Sequence, residues 1–210
     1  MAEQYGFYVN TARCVGCKTC QIACKDKNNL EPGILFRRVY EYGGGSWKEN
    51  PDGTYYQDVY SYYVSLGCNH CTDAACIKVC PSGAAQKDER FGTTWIDPKV
   101  CIGCRSCVMA CPYGAPRFDA SKGFTQLCNG CTDLVAKGKS PACVAACPQR
   151  ALEFGKIEDL RAKYGDAADI APLPSPKLTR PSLCLTKTPN ARPSGDKSGS
   201  LQNPKEVSPC

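Results

Sequence analysis

Cysteine spacing constrains this chain more than any other feature. All but two of the 18 cysteines in its 210 residues fall into four groups, and Cys184 and Cys210 are left as spare thiols. The groups are Cys14, Cys17, Cys20 and Cys24; Cys68, Cys71, Cys76 and Cys80; Cys101, Cys104, Cys107 and Cys111; and Cys128, Cys131, Cys143 and Cys147. These 16 cysteines occupy positions that a hydrophobic core would otherwise use. If they bind metal groups, those groups must themselves serve as core.

The third group, which is followed by Pro112, matches the CxxCxxCxxxCP run that binds [4Fe-4S] clusters in bacterial ferredoxins. Thiolates on a looping backbone can surround a cubane, and amides of the loop can donate hydrogen bonds to sulfur. Each terminal cysteine pair, such as Cys107 and Cys111, is expected on one face of a short helix. The groups therefore predict four [4Fe-4S] clusters, a path for electrons, and folding that is coupled to cluster insertion.

Other interpretations of the cysteines are weaker. Zinc also binds CxxC pairs, but those pairs are usually separated by about a dozen residues or more. A disulfide framework is typical of short secreted chains, and no secretory signal is present. A Rieske centre needs two histidines, whereas His70 is the only one here. We therefore expect His70 to support a ligand loop or to lie at the surface.

The formal net charge of +6 counts the cysteines as neutral. Each oxidised cubane with its thiolates adds about −2, so the loaded protein is near neutral and no nucleic-acid partner is expected. A cation about 7 Å from a cubane is worth about 2.4 kcal/mol, or roughly 100 mV, at an effective dielectric of about 20. Arg105 lies between two ligands of one loop and is the best candidate for tuning a potential. Solvated side chains are the alternative for it and for the other nearby cations, which are Arg13, Lys18, Lys25, Lys78 and Arg150.

The predicted fold class is α+β, with two ferredoxin-like halves. Residues 1–24 and 68–155 carry the cysteine groups and are expected to form the four-cluster core. Residues 25–67 are an insertion, in which residues 34–42 and 54–66 are rich in β-branched and aromatic residues and predict a β-hairpin. Its aromatic side chains serve either hairpin packing or a partner surface.

The remaining elements are short. A strand is expected near residues 93–96, and a brief helix over residues 158–164 within the segment 156–171. Residues 172–210 contain eight of the 16 prolines. This Pro-rich tail is expected to be extended with little fold of its own, as a disordered end or as an arm over a partner.

No targeting or membrane segment is recognisable in the sequence. The N-terminus lacks an apolar stretch, and Arg37-Arg38 does not have the position of a twin-arginine signal. The sequence contains no run of about 18 apolar residues, which is the length needed to span a bilayer. We therefore expect a partner subunit to carry the protein to a membrane, and the sequence does not indicate on which side.

Five stretches together resemble a known family. They are QYGFYVNTARCVGCKTCQIACK, CNHCTDAACIKVCPSGA, CIGCRSCVMACPYGAPRF, CPQRALEFG and the late RPSGD. In this order they resemble the iron-sulfur B subunits of anaerobic dimethyl sulfoxide reductases, and the likeness covers essentially the whole sequence. The cysteine groups alone are shared with the B subunits of nitrate reductase, formate dehydrogenase and polysulfide reductase.

The resemblance implies ligand sets that combine different groups. One cubane would use Cys14, Cys17, Cys20 and Cys147, and its neighbour Cys128, Cys131, Cys143 and Cys24. The inner pair would use Cys68, Cys71, Cys76 and Cys111, and then Cys101, Cys104, Cys107 and Cys80. Some relatives lack the cysteine corresponding to Cys104 and hold a three-iron cluster, so its presence here implies four cubanes.

The resemblance also implies a function without catalysis on this subunit. Electrons would pass singly from a quinol-oxidising membrane anchor, through the clusters, to a molybdopterin catalytic subunit that reduces dimethyl sulfoxide or a related S- or N-oxide in anaerobic respiration. One alternative is the equivalent subunit of another molybdenum enzyme, of the polysulfide, nitrate, formate or selenate type. A zinc-binding scaffold is a further alternative.

Overall fold

The computed structural model describes residues 3–208, and its helices and strands are short. The strands are β1 (Tyr5–Asn10), β2 (Arg38–Gly44), β3 (Trp47–Glu49), β4 (Tyr55–Gln57), β5 (Tyr60–Leu66), β6 (Ala85–Lys87), β7 (Thr94–Ile96), β8 (Arg117–Asp119), β9 (Phe124–Gln126), β10 (Leu152–Lys156), β11 (Leu183–Thr186) and β12 (Gly199–Leu201). The helices are α1 (Thr19–Lys27), α2 (Ala75–Lys78), α3 (Ser106–Ala110), α4 (Thr132–Val135), α5 (Ala142–Ala145), α6 (Ile157–Tyr164) and α7 (Pro204–Val207). Within residues 3–208 no helix has the length and apolar character needed to cross a bilayer. Cys210 lies outside the described residues.

Strand β1 is the middle strand of a sheet with the order β10-β1-β11. It runs antiparallel to β10 and parallel to β11, where Tyr8 lies opposite Cys184. Successive side chains of a strand point to opposite faces. Phe7 and Val9 therefore pack into the main core, whereas Tyr8 packs with Cys184 and with Leu160 of α6.

The insertion is built on β2 and β5, which pair antiparallel along their whole length. The sequence predicted strands over residues 34–42 and 54–66, whereas β2 begins only at Arg38 and the second stretch is divided into β4 and β5. The division falls near Asp58, whose carboxylate accepts the backbone N–H of Ser46 at 2.7 Å. A small β3-β4 ribbon therefore forms the tip of the insertion.

The aromatic side chains of the insertion divide between packing and solvent. Tyr42, Tyr60 and Tyr62 are buried in the main core. Trp47 and Tyr55, at the ribbon tip, are 69% and 60% exposed. Packing thus accounts for the first three, while the tip presents aromatic surface.

Two short elements overlap the positions expected from sequence. Residues 93–96 overlap β7, which pairs with β6. Residues 158–164 overlap α6, whose first turn contains Glu158 and Asp159, so that acidic side chains face the positive end of the helix dipole. Gly165 ends this helix with a φ of 86°.

The segment from residue 172 is integrated into the fold, which corrects the expectation of a tail with little fold of its own. Leu183 and Leu185 of β11 are 1% and 2% exposed. Asn203 donates from Nδ2 to the Val39 carbonyl of β2 at 2.9 Å, and β12 pairs with β2. The described prolines lie outside β11 and β12, so they interrupt no ladder hydrogen bonds. The segment is an arm laid over the rest of the same protein.

Candidate metal centres

Each cysteine group combines a loop with a short helix. The first two cysteines lie in the loop, and the third lies in α1, α2, α3 or α5. The residue before the second cysteine has a positive φ in every group, and these residues are Gly16, His70, Gly103 and Gly130. A left-handed residue turns the backbone sharply, so that the thiols of one loop face a common space.

Four thiols from the first and fourth groups line one cavity. They form set A, which is Cys14, Cys17, Cys20 and Cys147. The cavity encloses about 320 Å³ between the atoms, its open mouth included. Burial raises the pKa of Cys14 to about 11, and the nearby thiols of Cys20 and Cys147 add to the rise. A thiolate at this position therefore needs a positive charge beside it, which iron supplies.

A second cavity is lined by thiols of the second and third groups. They form set C, which is Cys68, Cys71, Cys76 and Cys111. The cavity encloses about 340 Å³ on the same measure. Burial raises the pKa of Cys76 to about 12, with further increases from Cys111 and Cys71. The thiols are thus drawn from distant parts of the sequence to a single buried space.

The remaining members of the first and fourth groups also lie together. They form set B, which is Cys24, Cys128, Cys131 and Cys143. Burial raises the pKa of Cys128 to about 11, and the thiols of Cys143 and Cys131 contribute. Helix α1 therefore supplies Cys20 to set A and Cys24 to set B.

The last four thiols are less buried. They form set D, which is Cys80, Cys101, Cys104 and Cys107. Burial raises the pKa of Cys107, and the thiols of Cys101 and Cys80 raise it further. Cys104 is exposed, and a hydrogen bond with the Ser106 hydroxyl lowers its pKa. Sets A and C each line one cavity, and in sets B and D thiols lie close enough to act on one another's pKa. The ligand sets that the resemblance implies stay a prediction.

The four sets adjoin one another in the order A, B, C, D. Consecutive sets approach closely enough for a thiol of one to raise the pKa of a thiol in the next. The pairs are Cys20 with Cys143, Cys68 with Cys128, and Cys76 with Cys107. The exposed thiols of the four sets are Cys17 of set A and Cys104 of set D, which are the first and last sets in this order.

Backbone amides donate to the sulfur atoms, as the loops predicted. The N–H groups of Ala85, Ala115 and Ala151 point at Cys80, Cys111 and Cys147 at 3.4, 3.5 and 3.3 Å. Hydrogen bonds of this kind stabilise a thiolate and raise the reduction potential of a cluster that it holds.

The donor sets fit [4Fe-4S] clusters. Each set offers four soft sulfur ligands, and sets A and C place them around the wall of a cavity. A cubane suits this arrangement, because each of its irons takes one thiolate. Among residues 3–208 no three His, Cys, Asp or Glu side chains converge closely enough to hold a single metal ion.

Buried cations beside the thiols were missed by sequence reasoning. Arg37 and Arg38 are each 2% exposed. The charge of Arg37 acts on thiols of sets A and B, and that of Arg38 on Cys111 and Cys68 of set C. Lys87, half-buried, is also near Cys68. The sequence feature that could have revealed them is the Arg37-Arg38 pair within a β-branched and aromatic stretch. From sequence this pair was weighed only as a twin-arginine signal.

The cations chosen from sequence have other contacts. The guanidinium of Arg105 lies 3.9 Å from the centre of the Phe118 ring, and its side chain is exposed. Lys18 pairs with Glu206, and Lys78 pairs with Asp73. A tuning role for Arg105 stays a prediction.

His70 is fully buried, so the surface alternative for it is wrong. Its Nδ1 accepts the backbone N–H of Thr94 at 3.0 Å. The backbone N–H of His70 donates to the sulfur of Cys68 at 3.4 Å. Burial lowers the pKa of its imidazole to about 3, and the charges of Lys87 and Arg37 act in the same direction. His70 therefore supports a ligand loop as a neutral side chain.

Family models match both regions that carry cysteines. Residues 59–157 match one described as a 4Fe-4S dicluster domain, and residues 11–31 match one described as a 4Fe-4S binding domain. The matched residues include members of all four thiol sets.

Curated relatives are similar over most of the sequence. The B subunit of the anaerobic dimethyl sulfoxide reductase of Escherichia coli is 54% identical, over 99% of this protein and 100% of its own length. The thiosulfate reductase electron transfer subunit of Salmonella typhi is 37% identical, over 76% of this protein and 79% of its own length. The B subunit of the polysulfide reductase of Wolinella succinogenes is 34% identical, over 91% and 97%.

Proposed function

This protein belongs to the family of anaerobic dimethyl sulfoxide reductase B subunits, and from that premise we propose how it works within a complex. It relays electrons one at a time through four [4Fe-4S] clusters. The donor is a quinol-oxidising membrane anchor, which also holds the protein at the membrane. The acceptor is a molybdopterin catalytic subunit that reduces dimethyl sulfoxide or a related S- or N-oxide. The protein itself is an electron-transfer subunit and performs no bond chemistry on the substrate.

Sets A, B, C and D are the proposed ligands, one set for each cluster. When bound, the clusters supply one-electron redox chemistry. The polypeptide fixes their positions, because each set joins cysteines from two separate groups. It also excludes water, since the described thiols of sets B and C are not exposed. The first and fourth groups would form one ferredoxin-like half, and the second and third groups the other.

The order in which the sets adjoin one another is the observation that carries this proposal. A relay needs neighbouring centres inside and access at both ends, and sets A and D each expose one ligand. Apolar side chains lie beside these ends, with Val15 56% exposed near set A and Ile102 67% exposed near set D. One partner would therefore contact each end.

Metal analysis and a redox titration of the anaerobically purified complex test the proposal. We expect about sixteen irons with acid-labile sulfide per protein, and four centres that titrate separately by paramagnetic resonance. Zinc without sulfide would overturn the relay. Fewer than four centres in fully loaded material would overturn the ligand sets.

The equivalent subunit of another molybdenum enzyme is the second candidate function. The similarity to the thiosulfate and polysulfide reductase subunits supports it, but at 37% and 34% identity against 54%. Substrate profiling of the catalytic subunit that co-purifies with this protein separates the two candidates. Turnover of polysulfide but not of sulfoxides or N-oxides would favour the second.

A further inference from the structure

Arg37 is a buried cation immediately before β2. Its side chain is 2% exposed, and its guanidinium lies 4.3 Å from the centre of the Phe7 ring. Nη1 donates to the carbonyl and to the hydroxyl oxygen of Ser65, each at 3.1 Å. The same hydroxyl lies 3.3 Å from the sulfur of Cys20. Ser65 therefore fixes the guanidinium next to a ligand of set A.

The charges around Arg37 come from cysteines of two sets. The thiols of Cys143, Cys128 and Cys24 belong to set B, and that of Cys20 belongs to set A. Arg37 thus lies where the two sets meet.

The ion pairs of residues 3–208 give Arg37 no carboxylate partner. Its Nη2 is buried and has no hydrogen-bond partner among these residues. A buried charge that lacks a counter-charge is strongly destabilising. Negative charge on the thiolates and clusters of sets A and B is the compensation that this position offers.

The fold also keeps space for this side chain. A Cβ atom added to Gly67 would lie 3.3 Å from Nη2 of Arg37, closer than ordinary van der Waals contact. Gly67 directly precedes Cys68 of set C. The backbone thus passes beside the guanidinium with no intervening side chain.

We propose that Arg37 is an electrostatic tuning residue that raises the reduction potentials of the clusters held by sets A and B together. Each cluster gains a negative charge when it is reduced, and a fixed cation beside both favours the reduced state of each. The inference rests on the proposed function, since it requires that these sets hold clusters. It extends that function by assigning the joint control of two neighbouring centres to one side chain.

Arg38 provides a matched control, because it is equally buried and carries the same charge. It donates to the carbonyls of Val207 at 3.0 Å and Tyr113 at 2.8 Å. Its thiol neighbours are Cys111 and Cys68 of set C. Replacing Arg37 therefore removes a positive charge beside sets A and B, whereas the same replacement of Arg38 removes one beside set C.

The experiment compares Arg37→Met and Arg38→Met in the anaerobically purified complex. Iron and sulfide content is measured first, and the midpoint potentials of all centres follow by titration with paramagnetic resonance detection. We expect Arg37→Met to keep its iron and to lower the midpoint potentials of two centres. The expected shift is about 59 mV each, which is a tenfold change in the one-electron reduction equilibrium. Arg38→Met should leave the midpoint potentials of those two centres unchanged and should lower the potential of one other centre, the one held by set C. Unchanged potentials in loaded Arg37→Met, or equal shifts of all four centres, would overturn the proposal.

Arg37→Lys covers the case in which Arg37→Met does not assemble. Lysine keeps the charge but loses the planar pair of donors. We expect it to restore the iron content and most of the potentials. If Arg37→Lys behaves like Arg37→Met, then side-chain shape matters and the proposal fails. A wild-type complex without four centres would instead contradict the proposed function, so the two failures are distinguishable.

Discussion

At the scale of residues, the ligand loops depend on one left-handed position. Glycine occupies it in three groups, and His70 occupies it in the second, with a φ of 45°. Histidine is among the few side chains that tolerate this region. Contacts with Thr94 and with the Phe7 ring hold it there. The second loop therefore uses a packed side chain where the others use conformational freedom.

Replacing Cys104 by serine tests the ligand assignment of set D. We predict that Cys104→Ser alters one centre, leaves three largely intact and preserves assembly with the partners. Quinol-linked turnover should fall, since a rise of about 1.4 kcal/mol in one barrier already slows a step tenfold. Paramagnetic resonance of the reduced complex is the measurement, and Cys184→Ala is the control with four normal centres. Identical spectra for Cys104→Ser and wild type would count against the assignment.

The pKa of Cys184 gives a prediction that does not involve a ligand. Burial raises the pKa of this thiol from 9.0 to about 11. Because the folded state disfavours the thiolate, its contribution to stability is complete below pH 9 and is lost as the pH rises towards 11. At about pH 8 the unfolded thiol is partly ionised and accessible, whereas the buried thiol is neither, so we expect iodoacetamide to label Cys184 only after denaturation, as measured by mass spectrometry. Rapid labelling of the folded complex at this position would contradict its burial.

Sequence reasoning could recognise the cysteine groups but not the buried cations that lie beside them. Cysteine spacing is local, so Cys101, Cys104 and Cys107 are recognisable within one loop. Arg37 and Arg38 become neighbours of the thiols only through long-range packing of β2, which no local spacing encodes. Arg105 was the natural choice from spacing, and the structure shows it exposed against Phe118.

At the scale of elements, the C-terminal segment shows how composition can mislead. Its prolines predicted an extended segment with little fold. The alternating apolar residues Leu183 and Leu185 nevertheless form β11 beside β1. Whether a short apolar strand is paired depends on a partner strand far away in sequence, here residues 5–10. By contrast, α6 and β7 follow from local patterns.

Replacing Leu185 by alanine tests the integration of this segment. Leu185 is 2% exposed, and truncation of such a leucine costs about 2–5 kcal/mol. The thermal midpoint of the loaded protein should fall by about 2–4 °C for each kcal/mol. Leu178→Ala is the matched control, because Leu178 is 60% exposed and its loss should cost about 0.5 kcal/mol or less. Equal midpoints for both variants would contradict the packing of β11.

At the scale of the whole molecule, the thiol sets replace much of a conventional core. Members of sets A and B, including Cys20, Cys24, Cys143 and Cys147, belong to the main buried cluster. They tie α1 to α5, two helices that lie more than 100 residues apart in the sequence. The resemblance stated from sequence is confirmed by the curated relatives.

Removal of iron should therefore unfold the protein. Structural metal sites contribute on the order of 10 kcal/mol, which is comparable to the whole stability of a typical domain, about 5–15 kcal/mol. We predict that anaerobic chelation abolishes cooperative thermal unfolding and protection from protease. Circular dichroism and limited proteolysis are the measurements, and restoring iron and sulfide is the control. An iron-free protein that still melts cooperatively at its original midpoint would refute the coupling.

The position of β1 between β10 and β11 affects how the protein is made on the ribosome. The strand leaves the ribosome before its neighbours at residues 152–156 and 183–186, which follow it by more than 140 residues. At about 5–20 residues per second, the wait is on the order of ten seconds or longer. During that interval the cysteines of the nascent polypeptide are exposed to solvent. We therefore expect cluster insertion to follow translation, or other factors to protect the thiols until β11 has paired with β1.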